Sequence, residues 1–522
     1  MTNPATTSLW NATARPVPVR SLEPGDAASV DVLVVGAGIV GLTAALRLAR
    51  EGRRVLVVEA RGVGTGVTGS TTGKVTAAHG LRYARLRRSV GEERTRRYAE
   101  ANQLATAWVR DLVADEGIAC DWRDRAAFTY TSAPQQVPTL EREARATIEA
   151  GLPAHALIAS PTAIPAPSPT PILAGVRVDG GGELHGRDYC LGLATVAEAA
   201  GATIAEGVRV TAVREGRPCR VRTAEHGELR AAHVVVATHF PILDRGLYFA
   251  RLEPERSYAI AVRTEQEPTT GSFYDVGPPS RSVRTAAGPD GEELAIVGGE
   301  GHPTGQASDA AERYGRLEEW ARRHLGATEV THRWSSQDPA TPDHVPYAGP
   351  LRPGSTTLWT ATGFDKWGLS GGTAAAHAIA ERIVGGPDRR ADLWDPSRRT
   401  QLRPGGLAKL ARWNVETGIA LVGDRLRRAD RDGVAGLAPG EGRIVRHDGR
   451  RTAAFRDDAG TVHAHSPLCT HMGCDVRFND AEQSWDCPCH GSRFDARDGS
   501  VLEGPAVDPL SRRDAGADTP RS

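Results

Sequence analysis

The chain has 522 residues, which is more than one ordinary core holds and predicts two or three domains. It carries 64 Lys and Arg against 64 Asp and Glu, with 40% hydrophobic and 25% charged residues, a composition typical of a globular protein. Because the net charge is zero, nothing in the balance indicates nucleic acid or an anionic membrane as a partner.

The first 29 residues are polar and contain proline, and they lack the apolar segment of a secretory signal. They predict an irregular leader, 1–29. The apolar stretch 30–49 contains Asp31, Arg47 and closely spaced glycines, so a strand, a tight turn and a helix explain it better than a membrane span. We therefore expect a cytoplasmic protein with no membrane span.

A glycine motif, G-A-G-I-V-G, joins that strand to that helix. Gly36 permits the turn, Gly38 lets the backbone approach a pyrophosphate, and Gly41 allows close packing of helix and strand. The helix N-terminus offers N–H donors to phosphate. Glu59 ends the next strand, about 20 residues on, where an acidic side chain binds ribose hydroxyls. The order predicts a dinucleotide site without separating FAD from NAD.

The middle of the chain offers weaker signals. Residues 85–117 have apolar positions at helical spacing and predict one long helix. Residues 160–175 are rich in proline and predict an extended connection. Residues 386–430, with many Pro, Gly, Asp and Arg, predict a connection between domains.

Three segments favour FAD over NAD. Residues 69–80 form a Thr- and Gly-rich loop soon after the acidic strand, and 234–240 resemble the strand that returns to the nucleotide-binding sheet in two-domain flavoproteins. Residues 360–380 place a Gly-rich turn before a helix, whose positive end can stabilise a reduced flavin. Taken together, residues 30–385 resemble the D-amino-acid oxidase/glycine oxidase class of FAD-dependent oxidoreductases.

This resemblance implies an α/β Rossmann-like FAD-binding domain, formed by 30–80, 190–245 and 340–385, with an α+β substrate domain formed by 81–189 and 246–339. It also implies the residues that contact FAD beyond the glycine motif. For three of them, Thr71, Thr72 and Lys74, the alternative is an ordinary polar turn. The implied contacts are Thr71, Thr72, Lys74, Val210, Gly363, Gly368 and Leu369.

In this class the substrate is often an amine or an amino acid, sometimes with its carboxylate held by arginine. Arg281 and Arg284 are candidates for that contact, although arginine is so common in this chain that a structural role is the alternative. No catalytic base stands out. Other candidates for the substrate pocket are Tyr258, Tyr274, Asp338, His344, Lys366 and Trp367.

Near the C-terminus, four of the seven cysteines fall within 21 residues, in C-T-H-M-G-C at 469–474 and C-P-C-H-G-S at 487–492. A [2Fe–2S] cluster held by two Cys on one iron and two His on the other needs two such short ligand pairs. A zinc site is the alternative, but these spacings differ from those usual for zinc.

The two motifs resemble the Rieske family, and the likeness implies a small all-β domain at 431–514. It implies that the ligands are Cys469, His471, Cys487 and His490, and that Cys474 and Cys489 form the disulfide seen in cytochrome bc-type Rieske proteins. High-potential members have Tyr where this chain has Phe494, so we expect a lower reduction potential. The whole chain is similar to bacterial fusions of the YhfW type.

Flavin exchanges two electrons with a substrate, whereas a Rieske cluster carries one. The pair predicts an FAD-dependent dehydrogenase for a small amine, amino acid or hydroxy acid, which passes single electrons between flavin and cluster and uses an external one-electron redox partner. The alternative is a non-enzymatic electron-transfer module or redox sensor. A Rieske oxygenase is excluded, because the chain leaves no separate domain for a mononuclear iron site.

Overall fold

The computed structural model describes residues 6–514 except 24–28, 159–163, 166–170, 266–267, 269, 308, 387–390 and 427–432. Parts of the predicted leader and of the predicted connections 160–175 and 386–430 therefore lie outside the described residues. Every helix within the described ranges is too short or too polar to traverse a bilayer.

The helices of the described chain are numbered in chain order. They are α1 Leu9–Thr13, α2 Ile39–Arg50, α3 Tyr83–Val90, α4 Glu92–Asp115, α5 Val137–Glu149, α6 Gly186–Ala199, α7 Ala310–Leu325, α8 Gly368–Ile383, α9 Ala391–Trp394 and α10 Pro404–Leu426.

The strands are numbered in the same way. They are β1 Val30–Val35, β2 Val55–Val58, β3 Lys74–Val75, β4 Arg123–Thr131, β5 Ala154–Ala156, β6 Ala174–Glu183, β7 Thr203–Ala205, β8 Val210–Arg214, β9 Cys219–Thr223, β10 Glu228–Val236, β11 Glu253–Thr264, β12 Ser272–Asp275, β13 Arg281–Ala287, β14 Glu293–Pro303, β15 Ala327–Ala340, β16 Tyr347–Pro350, β17 Leu358–Thr362, β18 Gly442–His447, β19 Arg450–Arg456, β20 Val462–His465, β21 Arg477–Asn479, β22 Ser484–Asp486, β23 Arg493–Asp495 and β24 Val501–Glu503.

The first sheet has the order β16-β17-β10-β1-β2-β7, with β8 and β9 attached beside β10. Strands β1, β2, β7, β10 and β17 run parallel. Their Val and Leu side chains are buried on both faces, as expected of parallel strands covered on both sides. Helices α2, α6 and α8 pack together on one face. This is the predicted α/β nucleotide-binding architecture.

The second sheet has the order β15-β11-β14-β13-β12-β4-β6-β3. Its pairs are antiparallel except for β12 and β4. Helix α7 packs against β11, β14 and β15. This sheet, with its helix, is the predicted α+β part, and it stands beside the nucleotide-binding sheet.

The C-terminal domain holds two small antiparallel sheets, β18-β19-β20 and β21-β22-β23-β24. Its core contains Trp485, Phe455 and Phe494, all fully buried. The described part of the domain contains strands and turns, which agrees with the predicted all-β class. The loop 469–474 precedes β21, and the loop 487–492 joins β22 to β23.

The leader is not irregular throughout, which corrects the prediction for its described part. Ser8 caps α1 by accepting a hydrogen bond from the Asn11 N–H at 3.1 Å. Leu9 and Trp10 are buried, and the Trp10 indole N–H donates to the Thr71 carbonyl at 2.6 Å. The leader therefore supports the loop that follows the acidic strand.

Two further helical predictions change. The single helix predicted over 85–117 is divided into α3 and α4, because Gly91 adopts φ +91°, outside the helical region. The predicted connection 386–430 contains the long helix α10, and Thr417 on this helix donates to the Cys489 carbonyl at 3.3 Å. The connection therefore contacts the C-terminal domain directly.

Candidate functional site

A cavity of about 550 Å³ lies between the two larger sheets. Helices α2 and α8 both begin at its wall, with Gly38 and Ile39 at one helix start and Gly368 and Leu369 at the other. A helix N-terminus presents unpaired N–H groups and positive potential. The cavity therefore offers two sites for the negative charges of a dinucleotide and its reduced ring.

The glycine motif forms a cradle that side chains would fill. A Cβ on Gly36 would stand 2.6 Å from the Ala237 carbonyl oxygen, and Gly36 has φ +107°. A Cβ on Gly41 would stand 1.9 Å from the Gly36 carbonyl oxygen, so this glycine allows α2 to pack on β1 as predicted. Gly36 and Gly38 line the cavity, whereas Gly41 lies behind them. The backbone can approach a pyrophosphate here.

Glu59 and Val210 line the same end of the cavity. The Glu59 carboxylate accepts hydrogen bonds from the N–H groups of Ala37, at 3.0 Å, and Arg61, at 2.9 Å. These bonds fix the carboxylate beside the glycine motif. Carboxylate oxygens retain further lone pairs, so Glu59 remains able to accept from a ribose hydroxyl.

The loop after the acidic strand also reaches the cavity, which Thr71, Thr72 and Lys74 line. The Thr71 hydroxyl accepts from the Gly73 N–H at 3.2 Å. This hydrogen bond is typical of a polar turn, which was the alternative to a FAD contact. Burial lowers the pKa of Lys74 to about 8, against the raising effect of Glu183. The loop thus offers one cation and two hydroxyls to a bound group.

Arg284 is not a substrate contact, which corrects that prediction. Its side chain is 1% exposed and does not line the cavity. It donates to the carbonyls of Gly73 at 2.9 Å and Leu184 at 3.2 Å, so it holds the loop from behind. Arg281 is also engaged elsewhere, in a buried ion pair with Glu300. Both arginines therefore have structural roles, which was the alternative to a substrate contact.

The far end of the cavity is lined by Tyr258 and Tyr274 of the second sheet and by Lys366, which lies between β17 and α8. The Tyr258 hydroxyl lies 3.0 Å from His302 Nε2. Burial raises the pKa of Tyr258, so it stays a neutral hydroxyl at ordinary pH. Gly363 does not line the cavity, although its neighbour Phe364 does, and His344 lies outside the wall as well.

Acidic groups accompany the cation at this end. Lys366 Nζ lies 3.6 Å from a Glu255 carboxylate oxygen. Burial raises the pKa of Asp338 to about 7, and Lys366 opposes that rise. The arginines of the cavity wall, Arg61 and Arg209, lie at the Glu59 end. Sequence reasoning named Asp338 but not Glu255, since an isolated Glu on a strand carries no motif.

The four expected cluster ligands meet at the tips of two loops. Cys469 and Cys487 are buried free thiols close enough to hydrogen-bond, and this contact lowers the pKa of Cys469 to about 7. The rings of His471 and His490 have centroids 5.0 Å apart. In the described part of the chain, His490 Nδ1 is buried with no hydrogen-bond partner. Two thiols, two imidazoles and an unsatisfied ring nitrogen fit a [2Fe–2S] cluster with mixed ligands.

Cys474 and Cys489 are joined by a disulfide, with Cα atoms 6.5 Å apart. Their sulfurs and the Cys487 sulfur lie within 4.8 Å of one another, but two bonded sulfurs are not thiolate ligands. The disulfide instead ties the two ligand loops together. Ser492 is buried beside them, and its hydroxyl hydrogen-bonds to the Cys469 sulfur while accepting from the Ala506 N–H at 3.0 Å.

The histidine edge of this site faces the nucleotide-binding part of the same chain. His471 Nε2 lies 2.9 Å from Asp244 Oδ1. The Phe249 ring makes edge contacts with His471, at 5.6 Å between centroids, and with His490, at 5.3 Å. Neither Asp244 nor Phe249 was predicted, because no local pattern shows which distant residue a folded domain will contact.

The chain resembles known proteins along almost its whole length. The family model for FAD dependent oxidoreductases matches residues 31–382, and the model for the Rieske [2Fe-2S] domain matches 432–513. The Rieske 2Fe-2S iron-sulfur protein YhfW of Bacillus subtilis (strain 168) is 33% identical over 93% of both chains. Gamma-glutamylputrescine oxidoreductase of Escherichia coli (strain K12) is 28% identical over 43% of this chain and 51% of its own.

The fold has solved counterparts. Glycine oxidase from Geobacillus kaustophilus aligns with a TM-score of 0.59 and 18% identity, over 71% of this chain and 99% of its own. Because the sequence identity is low, this similarity establishes only the fold, which is that of the part of the chain containing the two larger sheets. Together with the cradle, the cavity and the thiol–imidazole site, these matches identify the cofactors as FAD and a [2Fe–2S] cluster. The chain belongs to the FAD dependent oxidoreductase family and carries a C-terminal Rieske domain.

Proposed function

We propose that this oxidoreductase dehydrogenates a small amine at FAD and passes the electrons singly through the Rieske cluster to an external one-electron partner. The observation that carries the proposal is the contact between His471 of the cluster site and Asp244 of the nucleotide-binding part, 2.9 Å apart. Bound FAD would accept a hydride from the substrate, and the cluster would carry one electron at a time.

The proposed ligands follow the two loops. Cys469 and Cys487 would hold one iron, and His471 and His490 the other, through Nδ1. For His471 this orientation is supported by the engagement of Nε2 with Asp244. For His490 it is supported by the unpartnered Nδ1. The disulfide partners are the remaining sulfurs of the loops and need no metal.

For FAD, the proposed contacts begin at the glycine motif, with the pyrophosphate on the N-terminus of α2 and the ribose on Glu59. The adenine would lie near Val210, and the flavin ring near Gly368 and Leu369 at the start of α8. Thr71, Thr72 and Lys74 would contact the ring region from the opposite side. All of these residues line the same cavity except Gly41 of the motif, which lies behind the wall.

Among the three substrate classes considered, the cavity favours an amine over an amino acid or a hydroxy acid. Asp338 can hold a cation, and the hydroxyls of Tyr258 and Tyr274 lie in the same wall as possible hydrogen-bond partners. A carboxylate substrate would meet Lys366, but this cation already faces Glu255. The similarity to gamma-glutamylputrescine oxidoreductase, whose name contains an amine, points the same way.

The test is anaerobic mixing of the holoenzyme with a panel of small amines, amino acids and hydroxy acids, while the flavin absorbance is followed. We expect one or more amines to bleach the flavin with saturation kinetics. Bleaching by hydroxy acids or amino acids alone would contradict the amine assignment. If no compound of a broad panel bleaches the flavin, the relay or sensor alternative replaces the dehydrogenase.

A further inference from the structure

The Rieske domain forms part of the wall of the FAD cavity. We call the segment 501–507 the Rieske wall. Its residues in the cavity lining are Val501, Leu502, Glu503, Gly504, Ala506 and Val507. The rest of the lining comes from the two larger sheets and their loops. A domain that only received electrons from the flavin would have no need to enclose its binding site.

The Rieske wall stands at the nucleotide half of the cavity. The Val501 carbonyl accepts from the Arg209 guanidinium at 3.4 Å, and Arg209 is the neighbour of Val210. A Cβ on Gly504 would lie 3.4 Å from the Ile242 side chain and 3.8 Å from the Phe240 carbonyl oxygen. The wall is thus in close contact with the loop that follows β10, on the side where Glu59 and Val210 stand.

A buried set of charges fixes this wall in place. We call Arg256, Glu482, Arg493 and Glu503 the docking cluster. Arg256 of β11 is 1% exposed and pairs with Glu482 at 2.6 Å and with Glu503 at 3.4 Å. Arg493 pairs with the same two carboxylates. Because one partner comes from the substrate part and three come from the Rieske domain, undocking would break both ion pairs of Arg256.

The docking cluster and the cavity share a residue, since Glu503 belongs to both. Other contacts extend the same interface. Gln337 of β15 donates to the Gly491 carbonyl at 3.0 Å, and Arg477 donates to the Gly305 carbonyl at 3.1 Å. The wall therefore moves only if this whole interface opens.

We propose that the Rieske domain is a structural part of the FAD site, and that its docking retains FAD in the cavity. FAD then leaves or enters only when the Rieske wall separates from the loop after β10. This proposal concerns cofactor retention, so it holds or fails independently of the substrate and of the electron route proposed above.

The first test places a bulky side chain on the wall. Val507→Trp puts an indole at the cavity, whereas the adjacent Asp508→Trp puts it on an exposed residue outside the lining and serves as the control. Flavin released by heat is quantified against iron and against the Rieske EPR signal. We expect Val507→Trp to purify with less FAD per cluster and Asp508→Trp to match the unaltered chain. Equal FAD content in both variants would overturn the proposal.

The second test weakens docking without touching the cavity. Glu482→Gln neutralises a carboxylate that pairs with two arginines, and Glu318→Gln does the same on α7, where Glu318 pairs with Arg322 and Arg333. FAD release is followed by the rise in free-flavin fluorescence after dilution. We expect Glu482→Gln to speed release about tenfold, equivalent to about 1.4 kcal/mol, and Glu318→Gln to leave it unchanged.

The Rieske EPR signal shows whether the Glu482→Gln variant still holds its cluster, and this decides how its FAD release is interpreted. If Glu482→Gln retains the Rieske EPR signal and releases FAD at the unaltered rate, docking does not retain FAD and the proposal is wrong. If the variant loses the cluster, the comparison of Val507→Trp with Asp508→Trp decides alone. Faster release from Glu482→Gln with an intact cluster supports the proposal directly.

Discussion

His471 Nε2 and Asp244 Oδ1 lie 2.9 Å apart, although the residues are 227 positions apart in the chain and belong to different domains. The histidine is almost fully buried, and the carboxylate is 61% exposed at its side chain. A proposed cluster ligand therefore has an anionic partner from the flavin-binding part. The contact joins the cluster site to the loop after β10, in which Ile242 lines the FAD cavity.

Replacing Asp244 with Asn should raise the reduction potential of the cluster. The carboxylate stabilises the more positive, oxidised cluster through the ligand imidazole, so its removal favours reduction. We expect a rise of about 60 mV, which is a tenfold change in a one-electron equilibrium. A redox titration followed by EPR measures it. Asp448→Asn, which removes an exposed carboxylate of the Rieske domain, is the control. An unchanged potential in Asp244→Asn would show that the contact does not influence the cluster.

Phe494 offers a second test of the cluster environment. The side chain is fully buried in the core of the Rieske domain, and it carries no donor. Phe494→Tyr adds a hydroxyl that can donate to a cysteine ligand, and such hydrogen bonds raise cluster potentials. We expect the potential to rise by about 60 mV, equivalent to a tenfold change. The same titration measures the change, and a potential equal to that of the unaltered protein would reject the explanation of a moderate potential from Phe494.

The pH dependence of substrate binding tests Asp338. Burial raises the pKa of this carboxyl to about 7, so it is neutral below that pH and anionic above it. Binding of an amine cation should therefore strengthen as pH rises through about 7. Asp338→Asn should weaken binding at pH 8 and lose this part of the pH dependence.

Anaerobic flavin titrations with the substrate identified by the panel give the dissociation constants from pH 6 to pH 8. Glu293→Gln, at an acidic residue outside the cavity lining, is the control. Identical pH profiles for Asp338→Asn and the unaltered enzyme would remove Asp338 from the substrate site.

The stability of the fold should depend on a buried ion pair that joins the connection to the nucleotide-binding part. Asp343 accepts from Arg398 at 2.6 and 2.8 Å and from the Thr400 hydroxyl at 2.7 Å. Asp343→Asn leaves Arg398 buried without its counterion. We expect a loss of about 3–5 kcal/mol in the free energy of unfolding.

Denaturant unfolding, followed by tryptophan fluorescence, measures that loss. The control is Asp392→Asn, because Asp392 is 56% exposed and its ion pair with Arg97 should contribute about 0–1 kcal/mol. Equal effects of the two substitutions would contradict the importance of burial. The Arg398 pair lowers the pKa of Asp343, so its contribution to stability is present above the ordinary pKa of Asp and is lost as pH falls below it.

The parts of the site that the sequence predicted are local. Gly36, Gly38 and Gly41 act within one strand–helix turn, and the two Cys/His pairs each lie within one short loop. For residues this close in the sequence, the spacing along the chain largely determines how they are arranged in space. The α/β, α+β and all-β classes were also predictable, because burial on one or both faces of a strand is visible as a residue pattern.

The parts that the sequence did not predict depend on distant partners. In the sequence, Arg284 is a plausible substrate contact. Only the structure shows that it donates to the carbonyls of Gly73 and Leu184. Trp10 is buried in a cluster with Ala259 and Trp334, and its indole N–H donates to Thr71, all of them far away in the sequence. The docking of the Rieske domain depends on Arg256 meeting Glu482, 226 residues away. Neither a hydrophobic periodicity nor a sequence motif indicates contacts between residues so far apart in the chain.

We expect electrons to pass from FAD to the cluster within one chain, and rapid-freeze EPR detects such a transfer. The holoenzyme is mixed anaerobically with the amine that bleaches its flavin, at several protein concentrations, and the reduced Rieske signal is followed. We expect the signal to follow flavin reduction at a rate independent of protein concentration. A cluster that stays oxidised beside reduced flavin, or a rate proportional to protein concentration, would contradict it.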